Sequence, residues 1–151
     1  AIFADLVATY GAETITGYGR ALLVAQYDSN GALTIENVHV TNSSVTATGN
    51  GANAMGLLLS RTNGAGGEVT IRNCTVKSST VTSDAAYTGT LGNAGFIVGQ
   101  MHNGRQFTIT NVLVEGCTMS ARTDFATGIA FGCAEGACSV TLNGSALSAT
   151  T

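Results

Sequence analysis

The sequence predicts an all-β protein, a right-handed parallel β-solenoid (β-helix) with about four rungs of 33–38 residues. The first observation is a repeated segment: LTIENVHV, VTIRNCTV, FTITNVLV and a degenerate VTLNGSAL begin at residues 33, 69, 107 and 140, which are 36, 38 and 33 residues apart (69−33, 107−69 and 140−107). The second is the alternation of apolar and polar residues inside each segment, which is typical of half-buried strands. We therefore expect a single domain over residues 1–151, with a partial repeat at 1–32, repeats from 33, 69 and 107, and a partial repeat at 140–151.

The first strand of each repeat changes the phase of its alternation once, at Asn37, Asn73 and Asn111. A bend at this position keeps the apolar residues on both sides of it pointing inward. In stacked repeats the three asparagines form one ladder, and their side-chain amides can hydrogen-bond along the stack. The inward columns predicted on either side of the ladder are Ile35, Ile71, Ile109 and Val40, Val76, Val114.

Each repeat continues with a second short strand and a third, more apolar strand. The second strand is predicted at 45–48, 81–83 and 119–121, and the third at 21–25, 56–60, 95–99 and 128–132. Each third strand leads to a turn, Asn-Gly in three copies and Glu-Gly in the last, and such turns accept a positive φ at low steric cost. Asn-Gly between strands also fits a hairpin, so a blade-like or sandwich fold is the alternative.

The segment NCTV at Asn73, the VTI before it and the later GFIVG at 95–99 resemble the parallel β-helices of the pectin-lyase-like class. They also resemble the GLUG-type repeats of bacterial surface proteins, and the resemblance covers roughly residues 21–147. The resemblance implies a parallel β-helix in an extracellular surface protein. It implies no single activity, because those groups include lyases, adhesins and passive stalks, and a fold alone does not carry a function.

Composition narrows the class of function. The net charge of −3 argues against a nucleic-acid partner, which requires a basic stripe. No apolar run has the length of a membrane span. The sequence begins at Ala1 rather than at a methionine, which suggests a mature chain after signal removal or a trimmed chain. We expect a secreted protein with an extracellular or cell-surface location.

The cysteines bear on the redox compartment. Cys133 and Cys138 flank a turn, and we predict a disulfide between them, which would imply an oxidising compartment; the alternative is two unpaired thiols. Cys74 is predicted to be a small buried hydrophobic residue in the column of Val38 and Val112. A zinc site is not expected, because the CxxxxC spacing comes without a second pair or a nearby histidine.

Two further residues have candidate roles. Cys117 falls in the column of Ser43 and Ser79, and its offset along the rung argues against a bond with Cys74. Asn42 begins an Asn-Ser-Ser triplet, which makes it a candidate N-glycosylation site on an exposed turn.

The sequence contains no catalytic constellation. His39 and His102 are predicted to be solvated, and neither has a nucleophile at a fixed spacing. The acidic residues fall in different columns, and the column of Glu36 and Arg72 offers one acid and one base, which predicts a salt bridge between rungs. We therefore expect no enzyme activity, no cofactor and no metal, with cleavage of an acidic polysaccharide as the least favoured alternative.

The outward columns are rich in hydroxyl groups. A surface-binding module for carbohydrate or ice would use them, whereas the plain alternative is a soluble surface of β-favouring residues. The candidate binding residues are Thr34, Thr70, Thr108, Thr80 and Thr118.

The two ends suggest the preferred function, a structural subunit of an extracellular filament or surface layer that stacks head to tail with itself by strand addition. The last segment has a first strand but no third strand, whereas residues 1–32 have a third strand but no clear first strand, so the two together would make roughly one repeat. Residues 1–10 fit an amphipathic cap helix or, slightly better, a strand. The expected contact residues are Ile2, Leu6, Val140, Leu142 and Leu147.

Overall fold

The fold consists of short strands that recur in each repeat. The structure, a computed structural model, describes residues 1–5, 7–10, 19–47, 54–64, 66–83, 92–102, 104–120, 125–134 and 136–150. In chain order the strands are β1 (Ile2–Ala4), β2 (Val7–Tyr10), β3 (Gly19–Arg20), β4 (Val24–Tyr27), β5 (Leu33–Glu36), β6 (His39–Thr41), β7 (Ser44–Ala47), β8 (Ala54–Gly56), β9 (Leu59–Thr62), β10 (Glu68–Lys77), β11 (Thr80–Ser83), β12 (Gly92–Gly95), β13 (Val98–Met101), β14 (Gln106–Ser120), β15 (Phe125–Gly128), β16 (Phe131–Ala134), β17 (Ser139–Asn143) and β18 (Ala146–Thr150).

These strands form three sheets, and every strand pairing among the described residues is parallel. The largest sheet has ten strands, β1, β2, β5, β6, β7, β10, β11, β14, β17 and β18. The second sheet consists of β3, β8, β12 and β15, and the third of β4, β9, β13 and β16. The described part of the chain is therefore all-β with parallel sheets. The hairpin alternative is wrong, because a hairpin joins antiparallel strands.

Equivalent residues of successive repeats face each other across the strand pairs. Ile71 pairs with Ile35 on one side and with Ile109 on the other, and all three are buried. The same pairing and burial hold for the second predicted inward column, Val40, Val76 and Val114. Both inward columns are thus confirmed, and they belong to one hydrophobic core that runs along the stack of strands.

A column of left-handed asparagines bends the long strands. Asn37, Asn73 and Asn111 have φ values of 54°, 53° and 52°. Asparagine tolerates this conformation better than most residues, because its short polar side chain can form local hydrogen bonds. Asn111 Nδ2 also donates a hydrogen bond to Asn73 Oδ1 at 2.9 Å on the exposed side of the sheet. The bend returns the flanking residues on both sides to the inward face.

A second left-handed column lies five residues further along the chain. Its members are Asp5, Asn42, Ser78 and Gly116, with φ values of 56°, 49°, 47° and 61°. The two bends divide the largest sheet into three segments. We name them by the residues of one repeat: the first segment aligns with 33–36, the second with 39–41 and the third with 44–47.

Glycines bring the second and third sheets into backbone contact. A Cβ added at Gly56 would overlap the carbonyl oxygen of Leu59, and one at Gly95 would overlap that of Val98. The chain therefore folds back on itself over residues 57–58, which are fully buried. This corrects the prediction of one apolar third strand: each such segment is two strands, such as β8 and β9, joined by a tight bend that requires glycine.

Within residues 1–10, the structure has two strands, β1 and β2, on either side of the bend at Asp5. β1 pairs with β6, and β2 pairs with β7, both in parallel register. The strand interpretation is confirmed, and the cap helix is wrong. Leu6 lies outside the described residues.

We expect the bend at Asn73 to tolerate Asn73→Gly but not Asn73→Val. Glycine adopts a left-handed conformation freely, and Gly144 occupies the same column with a φ of 57°. A β-branched residue there is strained, so Asn73→Val should lower the free energy of unfolding by about 1–3 kcal/mol. Asn73→Gly should change it by less than about 1.5 kcal/mol, the worth of one amide hydrogen bond. Equal losses for both variants in urea denaturation would contradict this account of the bend.

Candidate functional site

Among the described residues, β17 lies at an edge of the largest sheet. It pairs with β14 on one side, and its Val140 and Leu142 are 36% and 49% exposed. In the same two columns, Phe107 and Ile109 of β14 are almost completely buried. Leu147 of β18 is partly buried and packs against the core. The apolar columns of the core therefore continue to an edge at which they reach solvent.

The opposite end of the sheet is formed, in the described residues, by β1, β2 and β5. β1 pairs with β6, and β5 pairs with β10. Ile2 is 80% exposed and lies opposite His39 on the outward side of the sheet. Leu33 of β5 is partly buried against the core. At this end, therefore, Ile2 is exposed on the outer face, and the inward column that contains Leu33 is only partly shielded from solvent.

The partial repeats at the two ends occupy the same columns. Ile2 pairs with His39, and His39 pairs with Thr75. Thr75 in turn pairs with Leu113, which pairs with Ala146 of β18. The expectation that the two partial repeats together complete one repeat is therefore wrong. In a head-to-tail arrangement, β18 and the β1 of a second copy would have to lie at successive levels.

The hydroxyl column of the first segment has charged neighbours. Thr34, Thr70, Thr108 and Thr141 pair in succession along the stack. Thr108 Oγ1 donates a hydrogen bond to Glu68 Oε1 at 2.5 Å. Two positions after the threonines, the predicted salt bridge is confirmed, with 2.5 Å between Arg72 Nη2 and Glu36 Oε2. The threonines of this segment therefore do not form an uncharged plane.

The third segment carries two hydroxyl columns without charged side chains at its described outward positions. Neither Thr80 nor Thr118 lies in a column with Thr34, Thr70 or Thr108, so the predicted binding threonines belong to two separate segments. The Lys77–Glu115 ion pair, with 3.0 Å between Nζ and Oε2, lies on the second segment. The hydroxyl residues of the three middle levels are Ser44, Thr80, Thr118 and Thr46, Thr82, Ser120; the backbone register continues the first column to Val7 and Thr150 and the second to Thr9.

Serine side chains that follow the two bends accept hydrogen bonds from backbone N–H groups that have no carbonyl acceptor in the strand ladder. Ser79 Oγ donates a hydrogen bond to Lys77 O at 2.7 Å and accepts one from Ser43 N at 3.1 Å. Ser145 Oγ accepts a hydrogen bond from Val112 N at 3.2 Å in the same way. Because the bend interrupts the strand ladder, these side chains supply acceptors that buried amides would otherwise lack. Sequence analysis missed this role, although the recurrence of serine in one column was a signal for it.

Cys74 and Cys117 occupy the equivalent positions after the first and second bends. Cys74 Sγ lies 3.2 Å from Arg72 O, and Cys117 Sγ lies 3.4 Å from Val76 O, as thiol donors would. Burial raises the pKa of both thiols, and hydrogen bonds with the backbone offset part of that rise. Both cysteines are therefore held as neutral thiols inside the core.

The predicted bond between Cys133 and Cys138 remains a prediction. Both residues are half-buried near the last turn, and the described residues show no disulfide. Asn42, the candidate glycosylation site, is exposed at the second bend. Its modification is likewise still a prediction.

Neither a search for metal sites and membrane-spanning helices in the described residues nor comparison with known proteins assigns a function to the chain. Within the described ranges, no group of three or more His, Cys, Asp or Glu residues could hold a metal ion. No helix in the same ranges combines the length and hydropathy of a membrane span. Comparisons with protein-family models, curated proteins and solved structures found no match. Function is therefore inferred from the residues and geometry of the chain itself.

We expect stability to fall at alkaline pH, with part of the fall due to Cys74 and Cys117. Their folded pKa values are raised, so their contribution is fully present below the ordinary thiol pKa and is lost as pH rises toward the folded values. Replacing both with serine, which already occupies equivalent positions, should remove this part of the pH dependence. The test is urea denaturation of both proteins between neutral and alkaline pH. An unchanged pH profile in the double serine variant would contradict the assignment.

Proposed function

We propose that the three sheets are the faces of one right-handed parallel β-solenoid, and that this solenoid is a structural subunit of an extracellular filament or surface layer. The observation that carries the proposal is the C-terminal edge formed by β17 and β18, at which inward columns reach solvent: Val140 and Leu142 are exposed, whereas their column partners one level away are buried. Apolar columns that end at an unpaired strand favour the addition of a further strand. In this proposal a second copy of the chain supplies a strand to the β18 part of that edge.

Strand addition would join the C-terminal edge of one copy to the N-terminal edge of the next. β18 of one copy pairs with β1 of the other, in the register that places Ala146 against Ile2. Main-chain hydrogen bonds provide most of the contact, and Leu147 at the next position adds apolar burial. Because two different surfaces meet, the contact is heterologous and propagates into an open fibre unless the rotation closes.

The composition of the C-terminal edge supports this mode of contact. Residues 139–150 contain no charged side chain and no proline, which are the usual devices that block pairing at a sheet edge. The register leaves one level unfilled between β17 of one copy and β5 of the next, because β1 covers only the second segment. Assembly is therefore expected to depend mainly on β18 and β1, with β2 continuing the contact.

Assembly should be abolished by Leu147→Lys, which places a charge in the column that the incoming β1 would cover. Thr70→Lys is the matched control, since Thr70 lies on the outer face in the middle of the stack and away from both edges. The measurement is sedimentation velocity over a range of concentrations, together with negative-stain electron microscopy. Filaments in the original protein and in Thr70→Lys, but not in Leu147→Lys, are the expected result. A protein that stays monomeric at high concentration would contradict the proposal.

A second candidate function is binding of carbohydrate or ice by the third segment. The observation that favours it is the pair of in-register hydroxyl columns with uncharged side chains at the described outward positions. Successive levels lie about 4.8 Å apart, so the hydroxyl groups form a regular two-dimensional array. Such an array suits a ligand that itself presents ordered hydroxyl groups or water.

Thr82→Lys should remove this binding, because it introduces a charge at the middle level of one of the two columns. Thr70→Lys serves again as the control, since it makes the same change on the first segment, where charged groups already occur. The measurements are thermal hysteresis and binding to insoluble neutral polysaccharides. Equal activity of the two variants, or no activity of the original protein in either assay, would exclude the third segment as a binding surface.

A further inference from the structure

Arg105 occupies a column that otherwise contains small residues. It lies two positions before the first inward residue of its repeat, and the residues at the same position in the other repeats are Gly31, Gly67 and Cys138. Its side chain is fully buried, with an exposed fraction of 0%. A guanidinium is rarely buried in this way unless its charge and its donors are satisfied.

The guanidinium is bound by backbone carbonyls of two earlier turns. Arg105 Nε donates a hydrogen bond to Gly64 O at 2.7 Å, and Nη1 donates one to Gly31 O at 3.2 Å. Nη2 donates a further hydrogen bond to Ser29 O. The carbonyl of Arg105 itself accepts a hydrogen bond from Ser139 N at 3.1 Å. One residue therefore links two earlier turns, its own turn and the start of β17, which lie at four successive levels of the stack.

The aromatic ring of Tyr27 also contacts the guanidinium of Arg105. Arg105 Cζ lies 5.2 Å from the centroid of the Tyr27 ring, within the range of a cation–π interaction. The Tyr27 hydroxyl donates a hydrogen bond to Ala32 O at 3.0 Å, which fixes the position of the ring. The ring thus contributes to binding through its π system while its polar end is held by the backbone.

Glycines allow the turns that bind Arg105 to approach each other closely. A Cβ added at Gly64 would overlap the carbonyl oxygen of Ser29, and one added at Gly67 would overlap that of Gly31. Gly67 also has a φ of 68°, which other residues rarely adopt. The turns therefore approach each other backbone to backbone, and their carbonyl oxygens converge on one point. Convergent carbonyl dipoles form a site for a cation.

We propose that Ser29 O, Gly31 O, Gly64 O and the Tyr27 ring form a cation-binding site selective for a guanidinium group. Arg105 fills this site from within the chain and thereby clamps successive turns in register. Selectivity follows from shape: a planar guanidinium presents its donors in a fork that can reach three carbonyls at once and still lie near a ring. An ammonium is a point charge and cannot match this arrangement. The inference is independent of self-assembly and of surface binding.

The test is chemical rescue of Arg105→Ala, with Arg72→Ala as the matched control. Arg72 is also paired but is exposed, so its loss should have little effect. Arg105→Ala should lower the melting temperature by about 10 °C, as expected for uncompensated polar groups in a chain of this size. Methylguanidinium at low, non-denaturing concentration should restore much of that loss. It should not raise the melting temperature of the original protein, whose site is already filled.

Several outcomes would overturn the proposal. A loss in Arg105→Ala no larger than that in Arg72→Ala would show that the buried contacts do not clamp the turns. Equal rescue by methylammonium, sodium chloride or calcium chloride would show that the site is not selective for guanidinium. If Arg105→Ala does not fold, the melting temperature of Arg105→Lys provides the test. We expect it to be lower than that of the original protein, and an unchanged melting temperature would overturn the proposal. Recovery of folded Arg105→Ala only when methylguanidinium is present during refolding would support it.

Discussion

Main-chain hydrogen bonding between equivalent residues of successive repeats is the constraint on which this structure depends. Because the strands are parallel and in register, each residue faces its own equivalents, so a column must stay inward or outward along the whole stack. Where the chain bends, the ladder is interrupted and backbone groups need other partners. The hydroxyl of Ser79 and the guanidinium of Arg105 meet that need at two different places, a bend and a turn. Among the described residues, the same constraint leaves β17 and β18 at one end, and β1, β2 and β5 at the other, each paired on one side only.

The columns next to the first bend could be predicted because alternation reports burial directly. A period of two across VTIRNCTV indicates that Ile71 points inward, and the single change of phase marks Asn73 as the bend. The second bend could not be predicted in this way. Asn42, Ser78 and Gly116 share a backbone conformation but no side-chain chemistry. Their column therefore cannot be recognised in the sequence until the strand pairing is known. The tight glycine bend between the second and third sheets could not be predicted either, because a short apolar run in the sequence has the pattern of a single buried strand.

The candidate sites were predictable to different degrees. Val140 and Leu142 extend two inward columns, so alignment of the repeats was enough to place them at an edge. The shared columns of β1 and β18 were not predictable, because residues 1–10 lack a recognisable first-strand segment. The burial of Arg105 was the least predictable of these features. A lone arginine after an Asn-Gly turn suggests a surface residue, whereas Arg105 is buried and its guanidinium binds the carbonyl oxygens of Gly31 and Gly64, which belong to distant turns.

The clamp at Arg105 also constrains how a gene for such a repeated chain could lengthen. Unequal recombination that inserts one extra repeat between the turns of Gly31 and Gly64 would add a level of about 4.8 Å to the distance that the guanidinium has to span. The side chain could then no longer reach Ser29 O and Gly31 O together with Gly64 O. An insertion on the C-terminal side of Arg105 leaves all three distances unchanged. An insertion on the C-terminal side is therefore expected to preserve the clamp, whereas an insertion between Gly31 and Gly64 preserves it only if the new turn presents its carbonyl oxygens to Arg105 in the same way.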